Sequence, residues 1–206
     1  MLSIAEKINY LQRYTTDSEQ LLIINDISWQ MYESLLTDLE ANSHLRIAYL
    51  EGILEIMSPS RRHEFIKTNI GRLIEVYLEE TRTHFYGLGS TTFRQETIAR
   101  GIEPDECYCI NSEKPVPDIA IEVVVTSGGI NSLAIYRGLQ VPEVWFWENN
   151  CFSLYCLDGE NYQAVSKSKV LPQLDLSLLA EYVLSPESMD AVIEFRQKIR
   201  EQIQKL

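Results

Sequence analysis

Apolar residues recur with helical period from Arg62 to about Thr81, where Phe65, Ile66, Ile70, Leu73, Ile74, Tyr77 and Leu78 alternate with charges. This is the clearest amphipathic helix in the chain. A shorter helix is expected to start near Ser28, carrying Met31, Tyr32, Leu35, Leu36 and Leu39. Ser3 and Glu6 have capping-box spacing, and Ile4, Ile8 and Leu11 follow on one face, so an N-terminal helix is expected as well. Between residues 44 and 59 two β-rich runs flank Glu51-Gly52, the pattern of a hairpin, with Pro59 closing it.

Strand-like runs then follow at His84 to Tyr86, Thr91 to Thr97, Cys107 to Ile110 and Ile119 to Val125, which predict a sheet of antiparallel neighbours. Gly128-Gly129 punctuates the chain. A two-turn helix from Asn131 to Leu139 and a buried strand from Val144 to Trp147 come next. Strands near Phe152 to Leu157 and Tyr162 to Val165 extend the sheet at its edge. A last helix, about Met189 to Gln204, is expected to bury Val192, Ile193, Phe195, Ile199 and Ile203. The order predicts an α+β fold, a mixed β-sheet flanked by helices. One domain is expected, with a helical extension (1–44), a core (45–165) and a C-terminal helical segment (166–206).

Composition narrows the class of protein. The 206 residues are 45% hydrophobic and 23% charged, enough for one large core. No apolar run approaches the roughly 20 residues that span a bilayer, so no membrane association is expected. The first residues lack an export signal, which points to the cytoplasm. Four cysteines (Cys107, Cys109, Cys151, Cys156) lack the spacing of a zinc knuckle and read as packing. Trp145 and Trp147 also read as packing rather than as base-stacking groups.

A net charge of −12 argues against coating nucleic acid by bulk electrostatics. Residues 58–100 depart from this, with seven Lys/Arg against five Glu, although a solvated helix face explains such a stretch better than a binding patch does.

Two carboxylates stand out. Glu122 interrupts Ile119-Ala120-Ile121 and Val123-Val124-Val125, where an unpaired charge is costly unless it meets a partner or a metal. Pro104-Asp105 opens the preceding strand, and pairing of the two strands would bring both carboxylates to one point. Mg²⁺ uses such a pair, completing its octahedron with waters and substrate phosphates. Asp118 shares a face with Glu122 but lies about 13 Å away at roughly 3.3 Å per residue, so it reads as a strand-opening residue.

The stretches YLEGILEIMSPSRRHE, RGIEPDECYCI, VPDIAIEVVVTSGGI and IYRGLQVPEVWFWE, within about residues 45–157, resemble the large bacterial family of putative restriction endonucleases. That family is a branch of the PD-(D/E)XK nuclease superfamily. The resemblance implies a restriction-endonuclease-like core and hydrolysis of DNA phosphodiester bonds with Mg²⁺ or Mn²⁺. By motif, Asp105 and Glu122 are the implied metal ligands and catalytic residues. Glu64 is an implied outer metal contact, and His63 beside it is expected to tie the first core helix to the sheet. A homodimer, which would set two sites opposite the two strands of a duplex, is expected on fold analogy.

The motif lysine is absent. Two residues beyond Glu122 stands Val124. In the following helix, where the resemblance would place a lysine shortly before Tyr136, stands Ser132, with neutral Asn131 before it. Arg137, Lys67 and Arg94 are the substitutes that the sequence offers. Three readings follow: an active Mg²⁺-dependent DNA endonuclease, a catalytically inactive nuclease fold acting as a binding or interaction module, and a protein unrelated to nucleases.

Overall fold

The computed structural model describes residues 18–39, 45–126 and 129–204. The expected N-terminal helix around Ser3, Glu6, Ile4, Ile8 and Leu11, and Gly128 of the glycine pair, lie outside these residues. Eleven described strands are β1 (Gln20–Ile24), β2 (Arg46–Leu50), β3 (Ile53–Ser58), β4 (Phe85–Gly87), β5 (Phe93–Gln95), β6 (Arg100–Ile102), β7 (Glu106–Ile110), β8 (Ile119–Val123), β9 (Glu143–Glu148), β10 (Cys151–Asp158) and β11 (Asn161–Val165). Five described helices are α1 (Trp29–Leu39), α2 (Arg61–Glu80), α3 (Ser132–Leu139), α4 (Leu176–Val183) and α5 (Ser188–Ile203). The class is α+β, as the sequence predicts. None of the described helices is long and apolar enough to cross a membrane.

The single expected sheet is two. Strands β1-β3-β2-β6-β5 form an antiparallel sheet of five, and β11-β10-β9-β8-β7-β4 form a mixed sheet of six. In the second sheet β8 and β9 run parallel, joined through α3, and the other neighbours are antiparallel. The expected strand Thr91 to Thr97 divides into β5 and a 3₁₀ turn at Glu96–Ile98, after which β6 returns to pair with β2. Alternation identifies the two faces of a strand but not its partners, so the split was hidden in the sequence.

The β2–β3 hairpin forms as expected, with Glu51 and Gly52 both at positive φ (48° and 97°), the backbone that a two-residue turn requires. Ile47, Tyr49, Leu54 and Ile56 face α1 and form one core with Trp29, Tyr32 and Leu36. Residues 20–24, inside the expected helical extension, add β1 to the edge of this sheet.

Helix α2 starts at Ser60, whose hydroxyl accepts the His63 N–H at 3.1 Å. Its apolar face packs with α4 and α5 on one side of the six-stranded sheet, against Ile119, Ile121, Val123, Trp145 and Trp147. The two tryptophans are therefore core residues, edge-on to Phe152. Cys107, Cys109 and Cys156 are buried thiols, whereas Cys151 is exposed.

Helix α5 buries Ala191, Phe195 and Ile199. Ile193 (57% exposed) and Ile203 (39%) do not join them, contrary to expectation. A face built on every fourth residue leaves Ile193 about 200° from Ala191 and Phe195. Phe65 and Met31 are exposed for the same kind of reason: each helix carries more apolar residues than its contact stripe accommodates. The C-terminal segment also contains α4, which the sequence reading did not identify, although Asp175 caps it by accepting two backbone N–H groups.

On its other side the six-stranded sheet meets α3. That helix packs through Ile135, Tyr136 and Leu139 against Ala120 and Val144, and against Ala48 and Ile102 of the five-stranded sheet. Beyond the N-terminus of α3 the two sheets part and leave a cleft.

Candidate active site between the sheets

The cleft has a volume of about 430 Å³. Strand alternation decides what enters it. On β8, Ile119, Ile121 and Val123 point to the α2 side, so Glu122 points into the cleft beside its register partner Phe146 on β9. On β3, Leu54 and Ile56 point to α1, and Glu55 and Met57 therefore face the cleft from the opposite sheet.

Asp105 precedes β7, one residue before the Glu106–Ile121 register pair, so it lies across from Glu122 as the sequence predicts. Two hydrogen bonds fix its carboxylate. Oδ1 meets His63 Nε2 at 2.8 Å, and Oδ2 accepts the backbone N–H of Val123 at 2.8 Å. His63 is fully buried, and its Nδ1 meets Glu19 Oε2 at 2.8 Å. Burial opposes a charge on this ring, but the bonds to Asp105 and Glu19 outweigh it and lift its pKa to about 9. His63 is thus an imidazolium that ties α2 to the sheet, the structural role expected of it.

Glu122 accepts a hydrogen bond of 2.5 Å from Tyr136 Oη. Burial, and then the charge of Asp105, push its pKa well above the usual carboxylate range, while the Tyr136 bond and His63 pull the other way. Glu55 also rises through burial, although it accepts the Ile130 N–H. Glu103, raised by burial as well, accepts from Thr92 Oγ1 and Ile47 N.

Six carboxylates line the cleft (Glu19, Glu55, Glu103, Asp105, Glu122, Glu148), and Arg46 is the one Lys or Arg among the described lining residues. Such a surplus of negative charge in a partly desolvated space favours a bound cation. Among the described residues no three His, Cys, Asp or Glu side chains converge as a ready-made cage. Mg²⁺ does not need one, because it is held by one or two carboxylates together with waters and substrate phosphates. The donor set suits a hard divalent ion: each Asp105 oxygen keeps a lone pair after its hydrogen bond, and among the described residues no basic side chain hydrogen-bonds Glu122.

The structure thus brings Asp105 and Glu122 together and leaves Glu64 outside the cleft lining. Glu64 sits in the first turn of α2, half-exposed, 2.7 Å from Lys67 Nζ and 3.7 Å from Arg46 Nη2. Ser132 lines the cleft, and Asn131 caps α3 by accepting the Ala134 N–H. Of the substitute cations, Lys67 pairs with Glu64, Arg94 lies 3.9 Å from Glu33, and Arg137 is on the exposed side of α3. Asp118 opens β8, accepting from Ile110 N and Lys114 Nζ. Sequence reasoning missed Glu19, Glu55, Glu103 and Glu148. Glu55 did leave a signal, as the acid on the alternate face of an apolar strand, but that pattern ordinarily means solvent.

The fold and site define an α+β protein with an acidic cleft built around a paired Asp and Glu, one just before β7 and the other near the end of the antiparallel β8. A family model described as a putative restriction endonuclease, Uma2, matches residues 29–187. The chain belongs to this family, and its core is restriction-endonuclease-like. The match reaches past residues 45–157 to include α1 and α4, consistent with their packing into the cores of the two sheets. No curated protein matches the chain.

Proposed function

We propose that this protein is a divalent-metal-dependent DNA endonuclease that hydrolyses phosphodiester bonds. The observation that carries the reading is the Asp105–Glu122 pair, each carboxylate fixed by its own hydrogen bonds in a cleft with surplus negative charge. Asp105 and Glu122 would hold Mg²⁺ or Mn²⁺, and such an ion, when bound, activates a water and offsets charge on the phosphate.

The chain's own residues prepare that site. His63 and the Val123 N–H hold Asp105 in one orientation, Tyr136 holds Glu122, and Phe146 gives the floor an apolar patch. Because six carboxylates line the cleft, close approach of a DNA phosphate depends on the ion being there. A homodimer belongs to this reading, and a monomeric mass by light scattering at assay concentration would remove that part of it.

A second reading has its own support. Ser132, which stands in the sequence where the resemblance would place the motif lysine, lines the cleft, and loss of one such contact can cost about 10²- to 10³-fold in rate. On this view the fold is retained as a binding module.

The test is cleavage of supercoiled plasmid by purified protein across Mg²⁺ and Mn²⁺ concentrations, beside Asp105→Ala and Glu122→Ala. Nicking by the wild type that both substitutions abolish supports the nuclease. An intact plasmid with wild type, but a cut one with Ser132→Lys, supports the inactive module instead.

A further inference from the structure

Resting on the nuclease reading, we infer that Arg46 supplies the positive charge that meets the phosphate in this cleft, and that Glu64 acts as its brace rather than as a metal contact. Phosphodiester hydrolysis builds negative charge on the non-bridging oxygens, and a fixed positive group there stabilises that charge in addition to any ion. Among the described residues that line the cleft, Arg46 alone is a lysine or arginine.

Its position follows from strand register. Arg46 pairs with Met57 across β2 and β3, and the next pair on the same face is Ala48 with Glu55. Arg46 is therefore the diagonal neighbour of Glu55, on the sheet face that looks across the cleft toward Asp105 and Glu122. The other basic side chains nearby do not line the cleft. Arg100 pairs with Glu51 and lies against Gly138 of α3, and Lys67 pairs with Glu64.

The guanidinium is held rather than loose. The side chain is 12% exposed, Nη1 donates to Leu45 O at 3.2 Å, and Nη2 stands 3.7 Å from Glu64 Oε1. Glu64 is fixed in turn by Lys67 at 2.7 Å. This chain of contacts runs from α2 to the cleft edge and gives another role to a carboxylate that the resemblance implies as an outer metal contact. A guanidinium can grip two phosphate oxygens at once and keeps its charge at every pH the fold survives. It can stabilise charge but cannot serve as a proton donor, so the pH profile of cleavage should show no limb from a titrating lysine.

The experiment uses full-length protein and its Arg46→Ala, Arg46→Lys and Glu64→Gln variants. Binding of a fluorescent DNA duplex is followed by anisotropy against salt in Ca²⁺, and cleavage of the same duplex is followed under single turnover in Mn²⁺. Arg46→Ala should lower the slope of log affinity against log salt by about 0.9, the loss of one phosphate contact. It should also slow cleavage about 10²- to 10³-fold. Arg46→Lys should keep the slope but recover the rate only in part, and Glu64→Gln should lower the rate less than Arg46→Ala. Wild-type slope and rate in Arg46→Ala would overturn the inference and leave the nuclease standing. If Arg46→Ala does not fold, Arg46→Lys decides: a fully wild-type rate with the point charge removes the role assigned to the fork. A wild type that neither binds nor cuts overturns both readings together.

Discussion

Tyr136 Oη lies 2.5 Å from Glu122 Oε1, so the Glu122 carboxylate takes a donor from α3, the helix that joins the two parallel strands. The tyrosine favours the charged form of Glu122 against burial and against Asp105, and that charged form is what a cation would need. Tyr136→Phe removes the donor and keeps the ring. It is expected to weaken Mn²⁺ binding at pH 7 by roughly tenfold, as follows from about 1.5 kcal/mol for a hydrogen bond to a charged group. Calorimetric titration of metal into both proteins checks it, and equal affinities would show that Tyr136 serves packing alone.

His63 couples stability to pH. Its folded pKa of about 9 is above the ordinary histidine value of 6.5, so the folded state binds the proton more tightly. The resulting stabilisation is fully present below 6.5 and is lost as pH rises through 9; its upper size is about 3 kcal/mol. Urea unfolding in chelator from pH 6 to 10 should show this loss in the wild type. His63→Gln should be less stable at pH 6 and should lack that part of the slope. Parallel curves for the two proteins would refute a charged His63.

Glu143 is a buried carboxylate with a different task. It accepts from Trp145 Nε1 (2.9 Å), Ser168 Oγ (2.7 Å), Val170 N (3.0 Å), Cys156 Sγ (3.3 Å) and the Lys169 N–H. These donors pin the segment after β11 against β9 and β10. Glu143→Gln turns an amide NH₂ toward some of them and should cost about 2–4 kcal/mol, read from the urea midpoint. A cost below about 1 kcal/mol would mean that the segment is held by its apolar contacts.

Gly101 on β6 has no room for a side chain. A Cβ there would stand 2.1 Å from Tyr32 Oη. Tyr32 cannot swing aside, being fully buried and stacked on Tyr49 at 4.8 Å between ring centroids. Gly101→Ala should therefore destabilise by about 1–3 kcal/mol through overpacking. Thermal unfolding measures it, and an unchanged midpoint would show that the α1 core yields.

Helix α2, the β2–β3 hairpin, and the Asp105–Glu122 pairing were legible in the sequence because each is written in local periodicity or in a residue that breaks it. Glu122 was visible as an acid inside an apolar run. Glu55 left only an ambiguous signal, since an acid on the open face of a half-buried strand usually meets water, and only the second sheet makes that face part of a cleft. Arg46 was hidden for the same reason. The division into two sheets depends on β6 returning to β2, a choice of partner about which alternation says nothing. Glu19 lies outside any periodic segment, and its bond to His63 has no local signal.

The hydrogen bonds around Glu19 and His63 also bear on how the protein comes to have a site at all. They join residues 42, 44 and 107 positions apart, from Asp105 to His63, from Glu19 to His63 and from Glu19 to Thr126. Long loops must be closed before any of these contacts forms, whereas α2 needs only its neighbours in sequence. During refolding the helical signal is expected to return ahead of the cleft, and a chain interrupted during synthesis before Thr126 would lack β9 and α3 and with them a finished cleft.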